Sequence, residues 1–126
     1  MSTLNVSNIT DGTTTLATEY VVNGSAKAWV NFDGTGTIAT RDSFNVSSLT
    51  DVGTGQYRSN FTNNMGNDDY ACSFYHTANS GSGMSSFNNQ WGGGHDLNVA
   101  YIGHSSYNVS FLDSDLVMIQ VNGDLA

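Results

Sequence analysis

Proline is absent from this 126-residue chain, and glutamate and lysine occur once each, as Glu19 and Lys27. Charged residues make up 11 % of it, against about 25 % in an ordinary domain. The strong helix formers Glu, Lys, Gln and Arg are therefore scarce. Polarity is carried instead by Asn, Ser, Thr and Gly, which suit strands, turns and local side-chain-to-backbone hydrogen bonds better than helix interiors. This balance excludes a helical protein and points to an all-β chain. The missing proline is unusual for such a chain, and the sequence offers no physical reason for it.

Other things are scarce too. Cys72 is the single cysteine, so no intramolecular disulfide can form. It sits in the alternating run 70–75 and reads as a small buried apolar side chain. No run approaches the ~20 apolar residues of a membrane-spanning helix. No basic segment leads into an apolar one at the start, so the expectation is a protein made in a cytoplasm without a secretory signal. Basic charge is rare: three Lys and Arg against 11 Asp and Glu leave a net charge of −8. Such a surface repels phosphate, which argues against a nucleic-acid partner and against binding to anionic lipid. It favours solubility at high concentration.

What is present is β-periodicity. A chain of this length forms one domain that buries roughly two-thirds of its unfolded surface. The hydrophobic fraction of 38 % is below the usual ~45–50 %, so the core is expected to be thin and helped by oligomerisation. Residues 4–9 alternate, Asp11-Gly12 turns the chain, and 13–22 read as a strand or a short helix before the Asn23-Gly24 turn signal. In 26–33, Ala26, Ala28, Val30 and Phe32 share one face, with Lys27, Trp29, Asn31 and Asp33 on the other. A turn at 34–36 leads to a hairpin partner at 37–42, and 44–49 start another strand. A turn at 51–55 precedes 56–61, where Tyr57, Ser59 and Phe61 share a face. Strands are also expected at 70–76, 97–101 and 106–112. The last run, 116–121, is apolar on both faces and is expected to be central or buried at an interface. Residues 77–96 are poor in β-formers and rich in Gly, Asn and Ser, and read as a long loop of the kind that is often functional. Regular strands with Gly, Asn and Asp turns give an antiparallel β-sandwich of seven to nine strands over 26–126, preceded by an extended N-terminal segment, 1–25.

Three stretches are distinctive: residues 26–36 (Ala-Lys-Ala-Trp-Val-Asn-Phe-Asp-Gly-Thr-Gly), 41–51 (Arg-Asp-Ser-Phe-Asn-Val-Ser-Ser-Leu-Thr-Asp), and 53–57 (Gly-Thr-Gly-Gln-Tyr) with 60–62 (Asn-Phe-Thr). Together they resemble the C-terminal domain of tail-fibre-like structural proteins in bacteriophages of cyanobacteria and other marine bacteria. The opening 1–6 and the closing strand 115–121 are similar to that group as well. The resemblance implies a virion role, often a homotrimer, and no catalytic residues. Residues 70–107 fall outside the pattern, and in fibre proteins such a stretch is where receptor contacts are expected.

The chemistry-bearing residues are weighed against plainer roles. His76, His95 and His104 lack the spacing of a metal pair, so no metal site is expected. Asp68-Asp69 and Asp33-Gly34-Thr35-Gly36 match no calcium loop and read as turns. Gly-x-Ser-x-Gly is absent, and ten Asp residues make chance carboxylate pairs inevitable, so no hydrolase signal stands out. Six Asn-x-Ser/Thr sequons follow from the composition and do not imply glycosylation. In the loop 84–95, Phe87, Gln90, Trp91, His95 and the adjoining Asp96 combine aromatic rings with polar groups, as a sugar site does. The sequence-based expectation is a non-enzymatic virion protein without cofactors, a tail fibre or fibre tip touching the bacterial surface. Its partners would be its own copies, other virion proteins and a host surface glycan. The alternative is a capsid decoration protein.

Overall fold

A computed structural model describes residues 2–67, 69–77, 83–88, 94–102 and 109–125, with the backbone alone for 83–88, 94–102 and 109–110. Alternation of apolar and polar side chains builds its centre. In strand β3 (Ala28–Asp33), Ala28, Val30 and Phe32 are buried, while Trp29, Asn31 and Asp33 sit half-buried on the opposite face. In the last strand, β11 (Val117–Asn122), Val117, Ile119 and Val121 are buried and Met118 and Gln120 are exposed. The two pair antiparallel, with Val117 opposite Phe32 and Val121 opposite Ala28. Their inward rows therefore coincide, and each such aliphatic or aromatic side chain contributes about 1.5–3 kcal/mol by leaving water.

Strand β4 (Ala39–Phe44) pairs on the free side of β3 and β7 (Ala71–His76) on the free side of β11, completing a four-stranded sheet ordered β4-β3-β11-β7. The second sheet contains β5 (Val46–Gly53), β6 (Gln56–Phe61), β8 (Gly83–Asn88), β9 (Gly94–Ile102) and β10 (Val109–Phe111). There β9 is central: it pairs with β8 along one edge, and with β6 and then β10 along the other. Every pairing is antiparallel. The two sheets face each other across Tyr57, which packs on the four-stranded sheet's buried row with its ring 5.2 Å from that of Phe32 in an edge-on arrangement. Val46, Leu49 and Phe61 from the second sheet and Ile38, Cys72 and Phe74 fill in around it. This is the expected all-β sandwich, with nine strands from β3 to β11.

Two polar junctions hold the layers. At Asn45, where the chain leaves β4 and enters β5, the backbone turns through φ 55°, a conformation Asn tolerates better than most residues. The Asn45 side chain donates to the carbonyls of Lys27 and Asn63, 3.0 Å each, and accepts from Asn63 N–H at 2.7 Å. At the other junction Ser114 is buried: its carbonyl accepts from Gly34 N–H at 2.8 Å and its hydroxyl reaches the Thr77 and Leu116 carbonyls.

Ahead of the sandwich, residues 8–24 fold as a small hairpin of β1 (Asn8–Thr10) and β2 (Thr15–Ala17) running into the helix α1 (Thr18–Gly24). No helix residue is buried. The chain's only lysine closes this helix. Lys27 Nζ donates to the Val22 carbonyl and to Ser25, and Asn122 Nδ2 donates to the Gly24 carbonyl at 3.2 Å. Carbonyls at a helix end lack intrahelical partners, and a cation there also suits the helix dipole.

Several expectations are corrected. Residues 77–96 are not one long loop, since they hold β8 and the start of β9. Pairing on both edges of β9 overrides the weak strand preference of Gly, Asn and Ser, a preference that depends on neighbours more than on the residue itself. Asn23-Gly24 closes α1 instead of turning a hairpin, and residues 51–53 continue β5, so the turn narrows to Thr54-Gly55. The last strand is central but buried on one face only: Met118 remains 37 % exposed on the other.

Candidate functional site

Of the residues singled out as a glycan-contacting loop, the described ones, Phe87, His95 and Asp96, lie in strands. Phe87 lies in β8, opposite Leu97 in register. His95 and Asp96 lie in β9, opposite Ser59 and Arg58 of β6, and Asp96 is also opposite Asn88 of β8. Gln90 and Trp91 lie outside the described residues, as does His104. The Asp33 turn is turn chemistry: one carboxylate oxygen accepts from Thr35 N–H at 2.9 Å and Thr35 hydroxyl at 2.6 Å, and the other accepts from Arg41 at 3.3 Å. These Thr35 hydrogen bonds, with the Arg41 charge behind them, hold the Asp33 carboxyl below its ordinary range. Among the described residues no group of three or more His, Cys, Asp or Glu is gathered as a metal site would require.

A different surface offers a site. The outer face of the four-stranded sheet carries a groove of about 470 Å³ lined by Trp29, Asn31, Ser73, Tyr75, Met118 and Gln120, within the 300–1,000 Å³ usual for ligand pockets. Three strands build it through the same alternation that buries the core. Trp29, Gln120 and Ser73 form one cross-strand row, and Asn31, Met118 and Tyr75 the next. Phe44 and Asp42 of the edge strand β4 extend these rows beyond Trp29 and Asn31. Tyr75 is 57 % and Phe44 54 % exposed. The six lining side chains bear no formal charge, on a chain whose net charge is −8.

The groove's amides differ in their restraint. Gln120 Nε2 donates to Asn122 Oδ1 at 3.1 Å, and Asn122 in turn donates to the end of α1. Gln120 is thereby oriented, with its carbonyl oxygen left over. Asn31 Oδ1 is buried and has no hydrogen-bond partner among the described residues. Turning this amide outward breaks no hydrogen bond at that oxygen, and leaving it unpaired costs about 1–3 kcal/mol. Rings that stack, with planar amides beside them, can hold a ligand having both apolar faces and hydroxyl groups.

Sequence reasoning placed Trp29 on the face opposite the core but did not gather this site. Its residues come from 29–31, 73–75 and 118–120, and only the order β3-β11-β7 makes them neighbours. The usable signal was the outward half of each alternation. Compared with family models, with curated proteins and with solved structures, the chain matches none.

Proposed function

We propose that this chain is a non-enzymatic virion structural protein of the tail-fibre kind, presenting a β-sandwich to the bacterial surface. The observation that carries this reading is the uncharged, aromatic groove on the outer face of a sheet whose inner face is locked into the core. A rigid sheet offers side chains at fixed spacing, as a recognition surface needs. The resemblance of 26–62 to phage fibre domains is consistent with it. A homotrimer fits the thin core and the apolar side chains left in solvent along the first 25 residues, with Leu4 at 82 % and Tyr20 at 65 % exposure. Repeated sites on one particle turn weak contacts into firm attachment.

The test is gold-antibody labelling of the phage particle, imaged by electron microscopy. Gold on the tail or its fibres is the expected result. Gold spread over the head makes this a decoration protein and ends the adhesin reading.

A further inference from the structure

We infer that the groove on the four-stranded sheet is a carbohydrate site that takes a neutral oligosaccharide across strands β3, β11 and β7. The inference rests on the proposed contact with the bacterial surface and names the ligand chemistry for it.

The first argument is charge. The chain is strongly acidic, yet none of the six side chains lining the groove carries a formal charge. An anionic glycan would meet the long-range repulsion of the whole molecule, and Arg41, the cation that reaches Asp33 on this face, is already paired with that carboxylate. The carboxylate nearest in register is Asp42, at the groove's β4 edge, and it can accept from a hydroxyl. A cation would find no charged lining residue to pair with. A neutral ligand is the one complementary to such a lining.

The second argument is the mixture of groups. A pyranose presents apolar C–H faces edged by hydroxyls. Trp29 and Tyr75 supply ring faces, Met118 lies between them as an adaptable apolar floor, and Asn31, Gln120 and Ser73 supply donors and acceptors. The buried, unpartnered oxygen of Asn31 is an acceptor that a hydroxyl satisfies once the amide turns outward. A protein surface of this size docking here would leave those amides to be matched one by one, and stable interfaces need about 800 Å² on each side.

The third argument is length. Trp29 and Tyr75 stand two interstrand steps apart and two residues along, roughly 12 Å between backbone positions. That backbone span is wider than one sugar ring, and a short chain of rings fills it.

The experiment is titration calorimetry of the full chain with cellohexaose, maltohexaose and xylohexaose, with the corresponding monosaccharides, and with an alginate hexamer as the anionic control. At least one neutral hexamer should bind with a Kd below about 1 mM, with its monosaccharide at least about tenfold weaker. Tyr75→Ala, at an exposed position, and Gln120→Ala should each weaken binding about tenfold while Val52→Ala, at an exposed position of the second sheet, leaves it unchanged. Unchanged far-UV circular dichroism of each variant excludes misfolding. Absence of heat with every neutral hexamer overturns the inference, as does preference for alginate, or binding that Tyr75→Ala and Gln120→Ala leave unchanged. Sedimentation in which Tyr75→Ala dissolves an oligomer into monomers also overturns it, because the groove is then covered by a second copy. Gold on the tail without oligosaccharide binding removes the groove and leaves the virion role, whereas particles without gold remove the virion role whatever the calorimetry shows.

Discussion

Replacing Tyr57 by Phe deletes one oxygen at the point where the two sheets meet. That oxygen lies 3.1 Å from the Gly34 carbonyl, 3.1 Å from Asp113 Oδ1 and 3.4 Å from Ser114 N–H. Its single proton serves the two acceptors, and it accepts from Ser114. Asp113 keeps its hydrogen bond from Gly55 N–H at 2.7 Å, so the groups left wanting are the Gly34 carbonyl and the Ser114 amide. An unsatisfied buried polar group costs about 1–3 kcal/mol, and the ring itself stays in place, so Tyr57→Phe should lose about 2 kcal/mol at neutral pH. The loss should shrink in alkali. Burial pushes the Tyr57 phenol well above its ordinary value of 10.0; the Ser114 hydrogen bond works the other way, and the Asp113 carboxylate beside it adds to the rise. A group whose pKa is raised on folding stabilises the protein fully below its unfolded pKa and loses that contribution as pH rises through the folded one. Wild-type stability should therefore fall above about pH 10 by up to ~1.4 kcal/mol per pH unit from this residue alone. The variant has no such loss, so the two proteins should converge. Urea unfolding followed by circular dichroism at neutral pH and at about pH 11 measures the difference. A difference that stays constant over that range refutes the assignment of the alkaline loss to Tyr57, and a variant as stable as wild type at neutral pH refutes the hydrogen-bond argument.

Phe32→Ala empties the fully buried site that receives Tyr57's ring and should cost about 3–5 kcal/mol in urea unfolding, where Met118→Ala on the outer face costs far less. Burial pushes the Cys72 thiol up to about 11. Alkylation by iodoacetamide should be slow in the native protein at neutral pH, accelerate as pH approaches that value, and be fast in the urea-unfolded chain. Equal native and unfolded rates at neutral pH would contradict that burial.

The core was legible in the sequence wherever one face of a strand is apolar and the other is not. Residues 28–33 and 56–61 announce their inward rows by strict alternation, and the structure buries Ala28, Val30, Phe32, Tyr57 and Ser59 accordingly. In 116–121 the alternation is blurred because Met118 is apolar yet points outward, where it floors the groove. Residues 97–101 were read as a strand, but β8 and the first residues of β9, 94–96, were illegible because they have little strand preference of their own, and β9 is selected in part by β6, a partner far away in sequence. Lys27 was read as one more outward position of a strand, although its Nζ is committed to the end of α1. The groove was only half visible. Each strand discloses which residues face out, but not that β11 will bring 29–31 beside 73–75.

That insertion of β11 between β3 and β7 bears on how the chain can be made. As the polypeptide leaves the ribosome, β3, β4 and β7 emerge well before the strand that joins them. Until residues 117–122 are free, β3 and β7 each expose an unpaired edge and a row of apolar side chains to the crowded cell. Non-local pairing of this kind is slow and prone to aggregation. Seating the final strand closes both edges in one event and shapes the groove in the same step. A nascent chain stopped short of Val117 lacks the centre of its sheet, so chaperones and proteases would meet an open, sticky half-sheet rather than a slightly shorter protein.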